Sequence, residues 1–169
     1  AGVSGNCAVA IMEGSRPIIA EIQSLVTQTV YPAPKRSANG FDFNRMCLLL
    51  AVLEKRLGLR FSTQDIYLNI VGGLRIDEPA ADLPAAMAMI SGILDKPLPD
   101  DLIAAGEIGL AGECRAIVDA EQRVREAERL GFKRILLPAR SAERLRRGGS
   151  GIEILGVRSI RETLTVIGK

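Results

Sequence analysis

The sequence predicts an α/β (α+β) fold, a mixed sheet with packed helices, on three observations. Short β-rich runs alternate with helical patterns after an opening hairpin, and two of the helical patterns are apolar nearly all round. Aromatics make up only 4% of the chain and tryptophan is absent, so the core must be aliphatic, which suits helices layered on a sheet. With 169 residues, 47% of them hydrophobic, and a mean hydropathy of +0.18, the chain can bury a full core as one domain. Within that domain, residues 1–30 are expected to form a hairpin entry, 31–40 a basic loop and 41–169 the remainder.

Residues 7–12 (CAVAIM) and 17–26 (PIIAEIQSLV) are β-rich runs parted by the turn signal Glu13-Gly14-Ser15-Arg16, hence the hairpin. The stretch from Tyr31 to Gly40 (YPAPKRSANG) carries two prolines and a glycine and predicts the loop. From Asp42 onward Phe43, Met46, Cys47, Leu50 and Leu57 recur at helical spacing, while Leu48, Leu49, Val52 and Leu53 widen the stripe, so this helix needs cover on two sides. Asp65 to Val71 alternates as a strand and ends at Gly72-Gly73. A central helix is predicted from Asp82 as N-cap through Pro84 to about Leu94, apolar on every face. Strands near Ala104–Ile108 and Glu113–Ile117 come next, then a helix whose capping box pairs Asp119 with Gln122 and which ends at Gly131. Lys133–Leu137 reads as a strand, Ser141–Arg146 as a short helix, Arg147–Gly151 as a mobile loop, Ile152–Val157 as a strand and Ile160–Ile167 as a closing helix.

Composition removes much of enzymology. The chain has no histidine, hence no Ser-His-Asp triad, no Cys-His pair and no imidazole base. Cys7, Cys47 and Cys114 are too far apart for a CxxC ligand pair, and each sits in an apolar stretch as a buried, reduced thiol would. GxxxxGK[ST] and GxGxxG are both missing, and RRGGSG at 146–151 has glycines without a lysine or a strand-to-helix setting, so neither a cofactor nor a metal is expected in this chain. The acids Asp77, Glu78 and Asp82 share one loop with Gly and Pro and read as turn and capping residues. Apolar runs such as Met46 to Leu53 fall far short of the ~20 residues a bilayer needs, and no cleavable signal opens the chain. No membrane partner and a cytoplasmic location are expected. The net charge is only +2, yet from Arg115 to Arg147 ten Arg/Lys stand against five acids. That asymmetry marks either a phosphate-binding surface or a solvated helical face holding its own ion pairs.

Three blocks in order carry a family resemblance: Asp82-Leu83-Pro84-Ala85-Ala86, then Gly106-Glu107-Ile108-Gly109-Leu110-Ala111-Gly112, then Gly131-Phe132-Lys133-Arg134-Ile135-Leu136-Leu137-Pro138. They resemble the Lon protease domain, whose pattern is D-G-P-S-A-G, G-E-I-x-L-x-G, G-x-K-x-x-x-x-P. Upstream, Glu13-Gly14-Ser15-Arg16-Pro17, the run Glu21 to Val26, and Asn44-Arg45 through Ala51 to Arg56 resemble the RadA branch of that superfamily. The resemblance implies a Lon protease-like, ribosomal protein S5 domain 2-like fold. It also implies that the family's serine nucleophile is replaced by Ala85 and its lysine base by Arg123. Alanine has no oxygen to attack a peptide, and a guanidinium with a pKa above ~12 accepts no proton near neutrality, so the resemblance makes this chain a non-enzyme. Ser91 and Lys96, better explained by packing and a helix end, do not replace the pair.

Proteins of that branch join a zinc-binding region and a RecA-type ATPase motor to this domain, form hexameric rings and drive branch migration. This chain holds neither the zinc cysteines nor the P-loop, so the resemblance implies a fragment, with ATP, Mg and Zn confined to the missing parts. It implies a homo-oligomeric ring, double-stranded DNA, and the recombinase RecA as partner of the full-length protein. Duplex contact through Lys35, Arg36, Arg123, Arg125, Arg129, Arg144, Arg146 and Arg147 is expected to be sequence-independent. For Arg123 the competing role is an ion pair, with Glu126 or with a neighbouring subunit. A pure oligomerisation module and a residual serine peptidase are the alternative functions.

Overall fold

A computed structural model describes residues 2–145 and 151–167. Nine strands are found among them: β1 (Asn6–Glu13), β2 (Arg16–Gln28), β3 (Arg36–Asn39), β4 (Gln64–Ile70), β5 (Leu102–Ala104), β6 (Glu107–Ile108), β7 (Cys114–Arg115), β8 (Arg134–Pro138) and β9 (Glu153–Val157). The helices are α1 (Phe43–Leu57), α2 (Asp82–Leu94), α3 (Ala120–Arg129) and α4 (Ala139–Leu145). Seven strands form one mixed sheet in the order β3-β4-β2-β1-β5-β8-β9, and β6 pairs with β7 in a small hairpin apart from it. The class is the α/β one that the alternation of runs predicts.

Strand alternation divides the core into two layers. Cys7, Val9 and Ile11 of β1 point into the layer with α1 and α2, while Ala8 and Ala10 point into the layer with Val124 and Ala127 of α3 and Ala142 of α4. β5 and β8 divide the same way, with Leu102, Ala104 and Leu136 in the first layer and Ile103, Ile135 and Leu137 in the second. Strands covered on both faces are apolar at every position, which is why CAVAIM and ILLP read as unbroken runs. α2 lies against β1 and β2 with α1 over it, and Leu83 to Ile90 are all buried. Each such Leu or Met contributes about 1.5–3 kcal/mol by leaving water.

α1 follows its sequence signals at both ends. The Asp42 carboxylate accepts the Arg45 N–H, and Gly58, left-handed at φ 70°, closes the last turn, which carries Lys55 and Arg56 against the helix dipole. Other expectations need correction. The loop at 31–40 contains β3: its prolines end at Pro34, and residues 36–39 pair in parallel with β4 through Ile66 to Asn69. Asp82 is not an N-cap but the first residue of α2. Asp119 adopts φ 57° with no side-chain capping bond, so the Asp119–Gln122 box does not form. The strands expected at Ala104–Ile108 and Glu113–Ile117 are split and short, because the chain turns at Ala105–Gly106 and the hairpin pairs only Glu107 with Arg115 and Ile108 with Cys114. The closing segment is a 3-10 helix, Ile160–Thr165. Only Cys7 of the three thiols is fully buried. Burial, with Glu21 adding to it, pushes that thiol up to about 12. Of the loop expected at 147–151, residues 147–150 lie outside the described residues. No helix of the described residues is long and apolar enough to cross a membrane.

Candidate functional site

A groove runs between the start of α2, the segment before it, β6 and the start of α3. Two adjoining cavities of about 300 Å³ and 200 Å³ share Glu78, Pro79 and Glu107. Arg45 and Asp82 line the first, and Arg123 and Val118 the second.

At the first end the Asp82 carboxylate, 1% exposed, accepts the Ile108 N–H at 3.0 Å and the Arg45 Nε–H at 2.8 Å. A second guanidinium nitrogen of Arg45 pairs with the same carboxylate and donates to the Ile108 carbonyl at 3.0 Å. The Asp82 hydrogen bond raises the Arg45 pKa still further above its ordinary value. Backbone bonds from Leu83 N–H to Gly106 O at 2.9 Å and from Gly106 N–H to Ala80 O at 2.7 Å lock the start of α2 to the loop before β6. Gly106 packs tightly there, since a Cβ would lie 3.0 Å from Leu83 Cδ2 and 3.2 Å from Pro138 Cγ. Ala85 follows within the first turn of α2, fully buried in the α1/α2 layer, a methyl group with nothing to ionise.

At the second end Arg123 has no exposure at all. Its guanidinium donates to the Ala10 carbonyl at 2.8 Å, to the Val118 carbonyl at 3.1 Å and to both oxygens of Glu78, Oε2 at 3.2 Å. Glu78 in turn accepts the Met12 N–H at 3.1 Å. One buried cation therefore joins β1, the segment that leads into α2 and the loop that leads into α3. Every partner is an acceptor, as a permanently protonated group requires. The ion-pair role anticipated for Arg123 is realised with Glu78 rather than Glu126, whose carboxylate is taken by Arg129 at 2.7 Å. The hydrogen bond from Arg129 holds that carboxylate below its usual range. Burial also corrects the inclusion of Arg123 among surface contacts for DNA.

The other proposed contacts do not form one patch. Lys35 is exposed with its ammonium 4.0 Å from the centre of the Tyr31 ring, and the Arg36 guanidinium is spent on the Gln64 and Phe61 carbonyls. Both lie at the β3 edge of the sheet. Arg125, paired with Glu121, and Arg129 are on α3, and exposed Arg144 is on neighbouring α4, on the other side of the molecule. Arg146 and Arg147 lie outside the described residues. Ser91 is buried, accepting the Gly5 N–H at 2.9 Å and donating to the Lys96 carbonyl at 2.6 Å, and so serves packing. Among the described residues no group of three or more His, Cys, Asp or Glu is placed to hold a metal ion.

Sequence reasoning missed Arg45, whose partner Asp82 is 37 residues away, and it missed Glu78. Glu78 looked like one more turn acid, and nothing at a separation of 45 residues ties it to Arg123. The available signal was Arg123 itself, a cation bordering the narrow apolar stripe of α3, which must find an acid if it is buried.

The family model described as subunit ChlI of Mg-chelatase matches residues 45–141. Proteins named DNA repair protein RadA are also similar. The one from Streptococcus pyogenes serotype M3 is 45% identical over 98% of this chain and 36% of its own length. Those from Bacillus subtilis and Halalkalibacterium halodurans are 45% and 43% identical over 97% and 98% of this chain, and 36% of their own length. The chain thus spans about a third of the length of the curated relatives it matches.

Proposed function

The chain belongs to the family described as subunit ChlI of Mg-chelatase, and from that premise we propose that it serves DNA repair as a Lon-like domain that binds and assembles but does not cut. The direction comes from the relatives named for DNA repair, which match almost the whole chain. In this reading the domain is one part of a longer protein whose remaining parts supply the zinc-binding region and the ATP- and Mg-dependent motor for branch migration, with RecA as a partner. The domain contributes a ring scaffold and sequence-independent contact to duplex DNA.

The observation that carries the non-proteolytic half is the state of positions 85 and 123. A serine-lysine peptidase needs an oxygen nucleophile beside a base that can lose its proton. Ala85 offers a methyl group in the core, and Arg123 offers a guanidinium bound on all sides by acceptors. A fluorogenic peptide incubated with the chain is expected to show no turnover, and turnover abolished by one serine substitution would overturn this half.

The duplex-binding half rests on exposed cations. The Arg125–Glu121 pair is exposed on both sides and Arg129 is exposed beside a half-buried Glu126; such surface pairs are weak, so phosphate can displace the acids at small cost. With exposed Arg144 on neighbouring α4 they offer point contacts to a backbone, to which Arg146 and Arg147 would add by sequence, while the scarcity of aromatic side chains disfavours base stacking. The test is binding of a labelled duplex across a salt series. If about three phosphates are neutralised, log affinity falls with log salt at a slope near −2.7. Affinity independent of salt rules the duplex contact out.

A further inference from the structure

The assembly part of the proposed function can be given a specific contact. The turn between β6 and β7 presents Leu110 to solvent, 65% exposed, at its tip. This tip is held firmly. Gly109 N–H bonds the Glu113 carbonyl at 2.9 Å, Gly112 N–H bonds the Gly109 carbonyl at 2.9 Å, and Ile160 N–H bonds the Gly112 carbonyl at 2.8 Å. Gly112, at φ 83°, sits so close beneath that a Cβ would lie 3.2 Å from Ile160 Cγ2 and 3.3 Å from Arg56 Cγ. Arg56 donates to the Leu110 carbonyl at 3.4 Å, and Arg161 donates to the Arg56 carbonyl at 2.5 Å. An apolar knob therefore stands in a fixed position beside exposed Arg56 and Arg161, and the Glu113 carboxylate of the same turn is taken by Arg115 and the Ala111 N–H.

Elsewhere on the molecule is a cavity of about 470 Å³, with apolar walls that include Val71, Leu74, Leu98 and Phe132 and with Glu21 and Asp100 in its lining. Among the described residues that line it there is no lysine or arginine. Val71 and Leu74 are 37% and 38% exposed, large apolar groups kept at a mouth that nothing in the described chain covers. The two features do not meet within one molecule. The knob is the β6–β7 turn resting on α1 and Ile160, whereas the cavity lies among β1, β2, the segment after β4 and the start of β5, and the two share no residue.

We propose that the Leu110 knob of one copy of this chain seats in the Glu21-bearing cavity of the next, with Arg56 meeting Glu21. A rigid apolar tip beside cations matches an apolar socket lined by carboxylates, and a fully desolvated central anchor is what gives an interface its strength. Because knob and socket are different surfaces, the contact is head-to-tail, the kind that propagates around a closed ring and not the self-complementary kind that stops at a dimer. The inference rests on the ring-scaffold reading and supplies its contact.

The test is sedimentation equilibrium of the chain and three variants, with circular dichroism to verify folding. Leu110→Asp, a change at an exposed turn, raises the dissociation constant of self-association at least about tenfold. Arg56→Glu and Glu21→Arg each weaken it as well, and the Arg56→Glu/Glu21→Arg double variant recovers most of the loss, which a merely misfolded protein does not do. Wild-type protein that is monomeric at every concentration overturns the scaffold reading and this contact together. Wild-type assemblies unchanged by Leu110→Asp overturn the contact and leave the scaffold standing. Leu110→Asp that spares assembly but weakens duplex binding assigns the knob to nucleic acid and also overturns the contact.

Discussion

α2 and α3 both begin at an aspartate, and at both the local rule for helix starts fails, but in opposite ways. Asp82 lies inside the first turn of α2, nearly sealed from water, with its carboxylate shared by Arg45 and the Ile108 N–H. Asp119 stands exposed before α3 in a left-handed conformation and binds no helix amide with its side chain. A tertiary cation outbid the cap at the first start. At the second, Arg123 took over the task of fixing the entry: its Nε–H bonds the Val118 carbonyl while its other nitrogens reach β1 and Glu78. The fold invests in long-range ion pairs at both ends of the groove and leaves local capping weak.

The largest effect on this contrast is expected from Glu78→Ala. It leaves the Arg123 guanidinium buried without its counter-ion and the Met12 N–H without its acceptor, and a loss of about 3–5 kcal/mol in urea unfolding is expected. A loss under about 1 kcal/mol would mean that water enters and solvates the cation. Asp82→Ala strips the acceptor from the buried Ile108 N–H and is expected to cost about 2–3 kcal/mol by the same measurement. Asp119→Gly, in contrast, relieves a left-handed non-glycine residue that caps nothing, and is expected to raise stability by about 0.5 kcal/mol. A fall of about 1 kcal/mol, typical of a lost cap, would show that the capping box forms in solution.

A smaller effect concerns pH. The Cys7 thiol is pushed up to about 12 from an ordinary 9.0, by burial first and Glu21 second, so the fold favours its neutral form. That contribution is intact below pH 9 and is lost as pH climbs from 9 toward 12, where only the unfolded thiol ionises freely. The stability difference between the chain and Cys7→Val should therefore be flat up to pH 9 and shrink above it. A difference that stays flat throughout would show that the thiol is not shielded.

Much of the fold was legible because periodicity reports burial directly. The hairpin β1–β2, the helical run of α1 and the all-apolar α2 follow from residues that had no other place to go. What was not legible depends on partners distant in sequence. β3 hides in a proline-rich stretch because its four residues are strand only by virtue of pairing with β4. The Asp82 and Asp119 signals misled because capping competes with whatever cation or amide the tertiary fold brings near. At the site, the Arg45–Asp82 and Glu78–Arg123 pairs were not legible, because each joins residues far apart in sequence. Of the two readings left open for the run of cations from 115 to 147, the ion-paired face is met by Arg123, Arg125, Arg129 and Arg134, each paired with an acid of the same molecule.

Arg123→Met tests the central claim most directly, with stability and duplex affinity measured on the same preparation. A brace buried between β1, Glu78 and the entry to α3 predicts a large fall in unfolding free energy and, below the melting range, a duplex affinity and salt slope equal to those of the unaltered chain. Unchanged stability with weakened duplex binding would contradict it and return Arg123 to the surface as a contact for phosphate.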